Sequence, residues 1–374
     1  MERDELASWL RLTLTPGIGN QTARKLLAAF GLPEAIFSQP PSALRQVVTP
    51  AQADALLGEL PELPAQLDMT WQWLQNPEGS TPRTVIALGD AAYPAGLLQI
   101  EDPPLLLYAM GRLDLPFKPE RSLAIVGSRN PTPQGALNAR QFAQTLSQAG
   151  LTIVSGLALG VDGAAHEGAL AGAAASHLAT VAVVGTGLDR VYPKRHHQLA
   201  HDIAQQGLIV SEYPLGTPPL AANFPRRNRL IAGLSCSTLV VEAALQSGSL
   251  ITARMAAEQG KDVFAIPGSI HATQSHGCHA LIRQGAKLVE SAQDVLEDLP
   301  GMALADRVPT PAPAGMETED NLLQALGFDP VSLDALQART GLATAPLQAR
   351  LMTLELDGQV ARLPGGLFQR IATT

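Results

Sequence analysis

Asn223-Phe224-Pro225-Arg226-Arg227-Asn228-Arg229 places three arginines and an asparagine where Pro225 should open a helix. A helix start favours anions and disfavours clustered cations, so this placement is unusual. Free N-terminal amides together with guanidinium groups suit a phosphate-bearing ligand, and a solvated basic face is the competing reading. Small residues recur elsewhere in a related way. Gly127-Ser128-Arg129, Ser155-Gly156-Leu157-Ala158 through Asp162, Gly185-Thr186-Gly187-Leu188-Asp189 and Ser211-Glu212 each follow a short apolar run, and Gly248-Ser249 follows Glu242 closely. Glycine and serine there let backbone amides approach a phosphate. A dinucleotide fingerprint is not met, because Gly185-x-Gly187 lacks the third glycine. His276, Cys278 and His279 lack paired metal-ligand spacing, and neither a nucleophile elbow nor a Walker A sequence occurs. No metal, cofactor or catalytic residue is therefore expected, and His166 reads as a core or capping residue rather than a base.

The elements that must position these groups alternate regularly. Apolar runs at 85–88, 105–108, 123–126, 151–154, 181–184, 208–210, 239–241 and 263–266 are separated, from the third onward, by stretches with helical composition, such as 133–149, 163–174, 196–206 and 249–259. Continuously apolar strands alternating with helices predict an α/β domain, a doubly wound and mainly parallel sheet covered on both faces. Ligands in such a sheet sit where the strands end, at a switch in strand order. Charge points to the same region. Residues 121–229 carry nine Lys/Arg against five Asp/Glu, a net of +4, while the remainder of a chain with net charge −8 carries −12. A basic segment inside an acidic chain suggests a localised anionic partner.

The flanks read differently. Residues 1–80 predict a helical domain, in which Pro16-Gly17-Ile18-Gly19 joins two helices and Asn20 caps the second. Helix, glycine turn, helix resembles a helix-hairpin-helix (SAM-like) module, although only Arg24 and Lys25 lie near the turn. Residues 81–299 hold the sheet domain. Prolines at 300, 309, 311 and 313 mark 300–316 as a linker. Residues 317–374 predict three helices and a hairpin, a winged helix. That segment has four basic and seven acidic residues, which leaves weak duplex contact and protein contact as equal uses for it. The 374 residues hold two cysteines and an acidic N-terminus, with no apolar run of spanning length, so a reducing cytoplasm and no membrane are expected.

Taken together, Gly127-Ser128-Arg129, Tyr192-Pro193, Phe224-Pro225-x-Arg227-Asn228-Arg229, Ser247-Gly248-Ser249-Leu250-Ile251-Thr252-Ala253, Ile266-Pro267-Gly268 and Leu281-Ile282 resemble the DNA-processing protein A family over about residues 85–290. The resemblance implies a Rossmann-like core that binds single-stranded DNA, forms a homodimer and loads a RecA-type recombinase during natural transformation. It also implies DNA contacts by Arg129 and Lys194. His196 and His279 stand where the family often has asparagine. The expected site is a basic groove of Arg129, Lys194, Arg195, Arg227 and Arg229 with Asn228, framed by Gly127, Ser128, Ser155, Gly156, Gly248 and Ser249. Five such cations predict a log-log salt slope of roughly −3.5 on single strands. Leu281 and Ile282 are expected in or beside the dimer interface. The alternative is a nucleotide-processing hydrolase, with Glu242 as its candidate acid. Glu242 is more readily read as a structural group paired with an arginine.

Overall fold

Strands that are apolar throughout must be covered on both faces, and the chain builds its layers accordingly. The computed structural model describes residues 1–75, 81–299 and 321–371. The described N-terminal residues form α1 (Arg3–Leu14), α2 (Asn20–Phe30), α3 (Pro33–Phe37), α4 (Pro41–Leu44), α5 (Pro50–Leu57) and α6 (Leu63–Gln75). Then follow β1 (Arg83–Ala87), β2 (Leu106–Gly111), β3 (Ser122–Val126), α7 (Pro133–Gln148), β4 (Thr152–Ser155), α8 (Val161–Gly172) and β5 (Thr180–Val183). The second half of the domain adds α9 (His197–Gln206), β6 (Leu208–Ser211), α10 (Asn223–Leu234), β7 (Ser237–Val240), α11 (Ser249–Glu258) and β8 (Asp262–Ala265). It closes with α12 (His276–Arg283), β9 (Lys287–Leu288) and α13 (Ala292–Asp298).

These strands form one sheet in the order β1-β2-β6-β5-β4-β3-β7-β8-β9. From β6 to β9 every pairing is parallel, and the β1–β2 and β2–β6 pairings are antiparallel. The order runs outward from β3 to β6, then returns to place β7 against the other side of β3. That reversal is the switch point. Alternate residues leave the sheet on opposite faces. Leu123 and Ile125 pack with Phe142 and Leu146 of α7, while Ala124 and Val126 pack with Leu230 and Ile231 of α10.

The helical segment does not stand apart from the sheet. One apolar cluster runs from Leu6, Trp9 and Leu26 through Trp73 and Tyr108 to Ile203 and Ile209. Asn20 departs from its expected role: Gly19 occupies the cap position without a side-chain bond, and the Asn20 amide donates to Asp102 at 3.1 Å. Arg24, the charge nearest the glycine turn, also bonds Asp102, at 3.3 Å. Of the two cations near the turn, Arg24 is thus committed to the chain itself and Lys25 is exposed.

The expected linker 300–316 lies outside the described residues. Beyond it, α14 (Asn321–Leu326), β10 (Val331–Ser332), α15 (Leu333–Thr340), α16 (Thr344–Leu356), β11 (Val360–Leu363) and β12 (Leu367–Arg370) make the winged helix, whose small sheet is ordered β10-β12-β11. It has its own core, including Leu322, Leu336, Leu347, Leu351 and Phe368. No described helix is long and apolar enough to cross a membrane.

Candidate nucleic-acid interface

At the switch point the ends of β3 and β7 leave a cavity of about 470 Å³. Gly127, Ser128 and Arg129 line it from the end of β3, Phe224, Arg227 and Asn228 from α10, and Ser247, Gly248 and Ser249 from the turn into α11. The close fit explains the glycine after β3: a Cβ on Gly127 would stand 2.8 Å from Val161 Cγ2. The start of α11 faces the cavity, so the positive end of its dipole adds to the anion-attracting character of the lining. Asn228 braces that turn, its amide donating to Gly248 O at 3.2 Å. A smaller adjoining cavity of about 100 Å³ shares Arg129, Ala158, Phe224 and Arg227 and adds Gly156, Leu157 and Tyr192.

Exposed charge at this cleft comes from fewer residues than the sequence suggests. Arg129 is exposed, its guanidinium 5.9 Å from the Phe224 ring centre. Phe224 in turn lies 5.4 Å from the Tyr192 ring. Lys194 and Arg195 are exposed immediately after Tyr192-Pro193, which wall the smaller cavity.

Arg227 and Arg229 correct the expected groove. Arg227 is 5% exposed, and its guanidinium donates to Gly156 O and, at 2.9 Å, to Val183 O, with Asp162 3.9 Å away. Burial lowers its pKa to about 10, against the pull of Asp162, so it stays charged at neutral pH. Burial likewise raises the Asp162 carboxyl, opposed by Arg227 and by the Ala158 amide, which donates to it at 3.2 Å. Gly156 has no room for a side chain here, since a Cβ would lie 2.5 Å from Arg227 Nη2 and 2.7 Å from Asp162 Oδ2. Arg229 bonds Glu212 and stands 3.7 Å from Asp102. Two of the three arginines at the start of α10 are therefore offset by carboxylates of the same chain, and Arg226 is exposed. Ser155 also turns inward: its hydroxyl donates to Ile125 O at 2.7 Å, and it lines neither cavity.

Glu242 differs from its expected arginine pairing. Thr132 holds both of its oxygens, through N–H at 2.9 Å and O–H at 2.6 Å, at the start of α7. A helix N-terminus is a favourable place for that carboxylate, although burial raises its pKa. Sequence reasoning missed Asp162 and Glu212 as the arginine partners; Asp162 lies in the first turn of α8 and Glu212 directly after β6.

His166 lies in the core as expected. Thr180 donates to Ile153 O at 2.5 Å, so His166 Nδ1–H donates to Thr180 Oγ1 at 2.7 Å. Burial, then the neighbouring His196 and Arg227, lower its pKa to about 3. A histidine depressed on folding contributes stability that is present above its unfolded pKa of about 6.5 and lost as pH falls toward the folded value. Between pH 7 and pH 5 this group should remove about 2 kcal/mol, at roughly 1.4 kcal/mol per unit below 6.5. Urea unfolding of wild type and His166→Phe at both values checks it; equal pH dependence in the two would contradict the assignment.

The chain matches the family model described as DNA recombination-mediator protein A over residues 84–300, and the DprA winged helix domain over 307–366. It is 36% identical to Protein Smf of Synechocystis over 407 aligned positions, covering 99% of this chain and 100% of that one. The solved DNA processing protein A of Streptococcus pneumoniae superposes with TM-score 0.65 at 37% identity, over 80% of this chain and 98% of that one. The Helicobacter pylori protein, whose structure is described for its single-stranded DNA binding mode, gives 0.51 at 33% identity, over 57% and 93%.

Proposed function

The chain belongs to the DNA recombination-mediator protein A family, and on that premise we propose that its strand-end cleft binds single-stranded DNA without reading its sequence. One observation carries this most directly: exposed Arg129 stands over Phe224, which pairs with half-exposed Tyr192. A cation beside stacking aromatic faces suits a strand whose phosphates and bases are both accessible. Lys194 and Arg195 extend the cationic edge. In the cytoplasm the bound strand is handed to a RecA-type recombinase, as the family's role in transformation implies. Mixing the protein with equal lengths of single-stranded and duplex DNA tests the first step. Preference for single strands, with similar affinity for different sequences, is expected; preference for duplex would overturn it.

A base-releasing hydrolase is the weaker reading, because Glu242 has both oxygens on Thr132 and does not line the cleft. The winged helix is a contact module rather than the source of affinity. A chain ending at Asp298 should keep its single-strand affinity within a few-fold, measured by fluorescence anisotropy, and loss of most of it would reassign the site.

The protein acts as a homodimer through the α12–β9 edge. Leu281 and Ile282 are only half-buried, and Leu288 on the edge strand is 50% exposed. Leu288→Glu, at the most exposed of the three, and Leu281→Glu should both shift the mass seen by light scattering to that of a monomer. An unchanged dimer in both variants would move the interface elsewhere.

A further inference from the structure

Beyond Tyr192 the surface falls into another depression, of about 570 Å³, that the binding reading leaves unused. Its floor is apolar, with Leu188 and Ile209 buried at 8% and 5% exposure. Tyr192 forms one wall and Trp73, from α6, forms part of another. Trp73 is held in place: Arg83 donates to its carbonyl at 3.1 Å, and the guanidinium lies 5.3 Å from the ring centre. His197 and His201, one turn apart on α9 and both exposed, bring ring nitrogens to the rim. The volume is in the range of ordinary ligand pockets, and such pockets favour seams between packed units. An apolar floor and aromatic walls suit a flat heterocycle with hydrogen-bonding edges, and the two cations of the lining are already engaged, Arg83 on the Trp73 carbonyl and ring and Arg190 on Asp189 at 2.8 Å.

We propose that this depression receives one nucleobase of the bound single strand, as a second base subsite away from Arg129. It rests on the cleft being a single-strand site. Continuity is the decisive link: Tyr192 and Leu157 line both this depression and the smaller cavity that contains Arg129 and Phe224. A strand lying on Phe224 therefore meets Tyr192 at the edge of this depression, and a single strand can turn a base out of its own stack into such a recess. The N-terminal helices thereby contribute to DNA binding through Trp73, not through the glycine turn.

An oligothymidylate length series with wild type and His201→Trp tests this. The substitution is at an exposed helix position and fills the mouth of the depression while leaving Arg129, Phe224 and Tyr192 in place. Thermal unfolding followed by circular dichroism confirms that the variant is folded. Long oligonucleotides should bind the variant roughly 5- to 150-fold more weakly, the value of one stacked base, while the shortest that bind wild type should be unaffected. Equal affinities of wild type and variant at every length would overturn the second subsite. Failure of wild type to bind any length would instead overturn the single-strand reading on which it rests. As a second readout, 5-iodouracil oligonucleotides irradiated in complex should cross-link to peptides containing Trp73 or His197–His201 as well as to Phe224. Cross-links confined to Phe224 would remove the proposal.

Discussion

Arg227→Ala is expected to destabilise the protein by about 3–5 kcal/mol, the cost of removing one partner from a buried ion pair. Its side chain is 6% exposed and that of Asp162 is 11% exposed, so little solvent screening reduces the loss. Alanine would leave the carboxylate without its cation and the carbonyls of Gly156 and Val183 without their donor. Those carbonyls belong to the chain just past β4 and at the end of β5, and the arginine ties both to α10. Lysine should not restore stability, because a single ammonium lacks the planar fork that meets separate acceptors. Urea unfolding is the measurement. A loss below about 1 kcal/mol, within the range of ordinary surface substitutions, would mean that Arg227 is not the brace between these strand ends.

The largest expected effect on binding belongs to residues that contribute almost nothing to the fold. Arg129 and Lys194 are exposed, and neither has an ion-pair partner among the described salt bridges. Replacing both with alanine should change unfolding free energy by less than about 1 kcal/mol. Single-strand affinity should fall roughly 100-fold or more, from about 1.5–3 kcal/mol for each hydrogen bond to a charged group. The loss should be the same on thymidine-rich and mixed sequences, since phosphate contacts position a strand without reading it. A loss confined to some sequences would point to base contacts at these two positions instead.

The sheet was legible because its strands are apolar on both faces and separated by helices of ordinary length. Every run from 85–88 to 263–266 is a strand to within a few residues. The antiparallel attachment of β1 and β2 beside β6 was not legible, because pairing partners depend on contacts far apart in sequence. Gly127, Gly248 and Arg129, expected together from the sequence, do line one cavity, since small residues and a cation at a chain reversal keep their meaning locally. The direction of Arg227 and Arg229 did not follow from their position. A cation at a helix start can face a ligand or a carboxylate, and Asp162 and Glu212 lie 65 and 17 residues away. Asn20 failed for a similar reason: a good capping residue was drawn instead to Asp102, 82 residues on.

The number of cations that reach phosphate is the point at which this structure and the sequence alone differ most sharply. With Arg227 and Arg229 committed to carboxylates, three of the five expected cations remain exposed: Arg129 in the cleft lining, and Lys194 and Arg195 just after Pro193 at its edge. The affinity of wild type for an oligothymidylate, measured by anisotropy from 50 to 500 mM KCl, should therefore give a log-log slope of roughly −2.1, from about −0.7 per phosphate. Arg129→Ala/Lys194→Ala should flatten it to roughly −0.7. A wild-type slope near −3.5, or a slope that the double substitution leaves unchanged, would contradict a cleft built on those three residues.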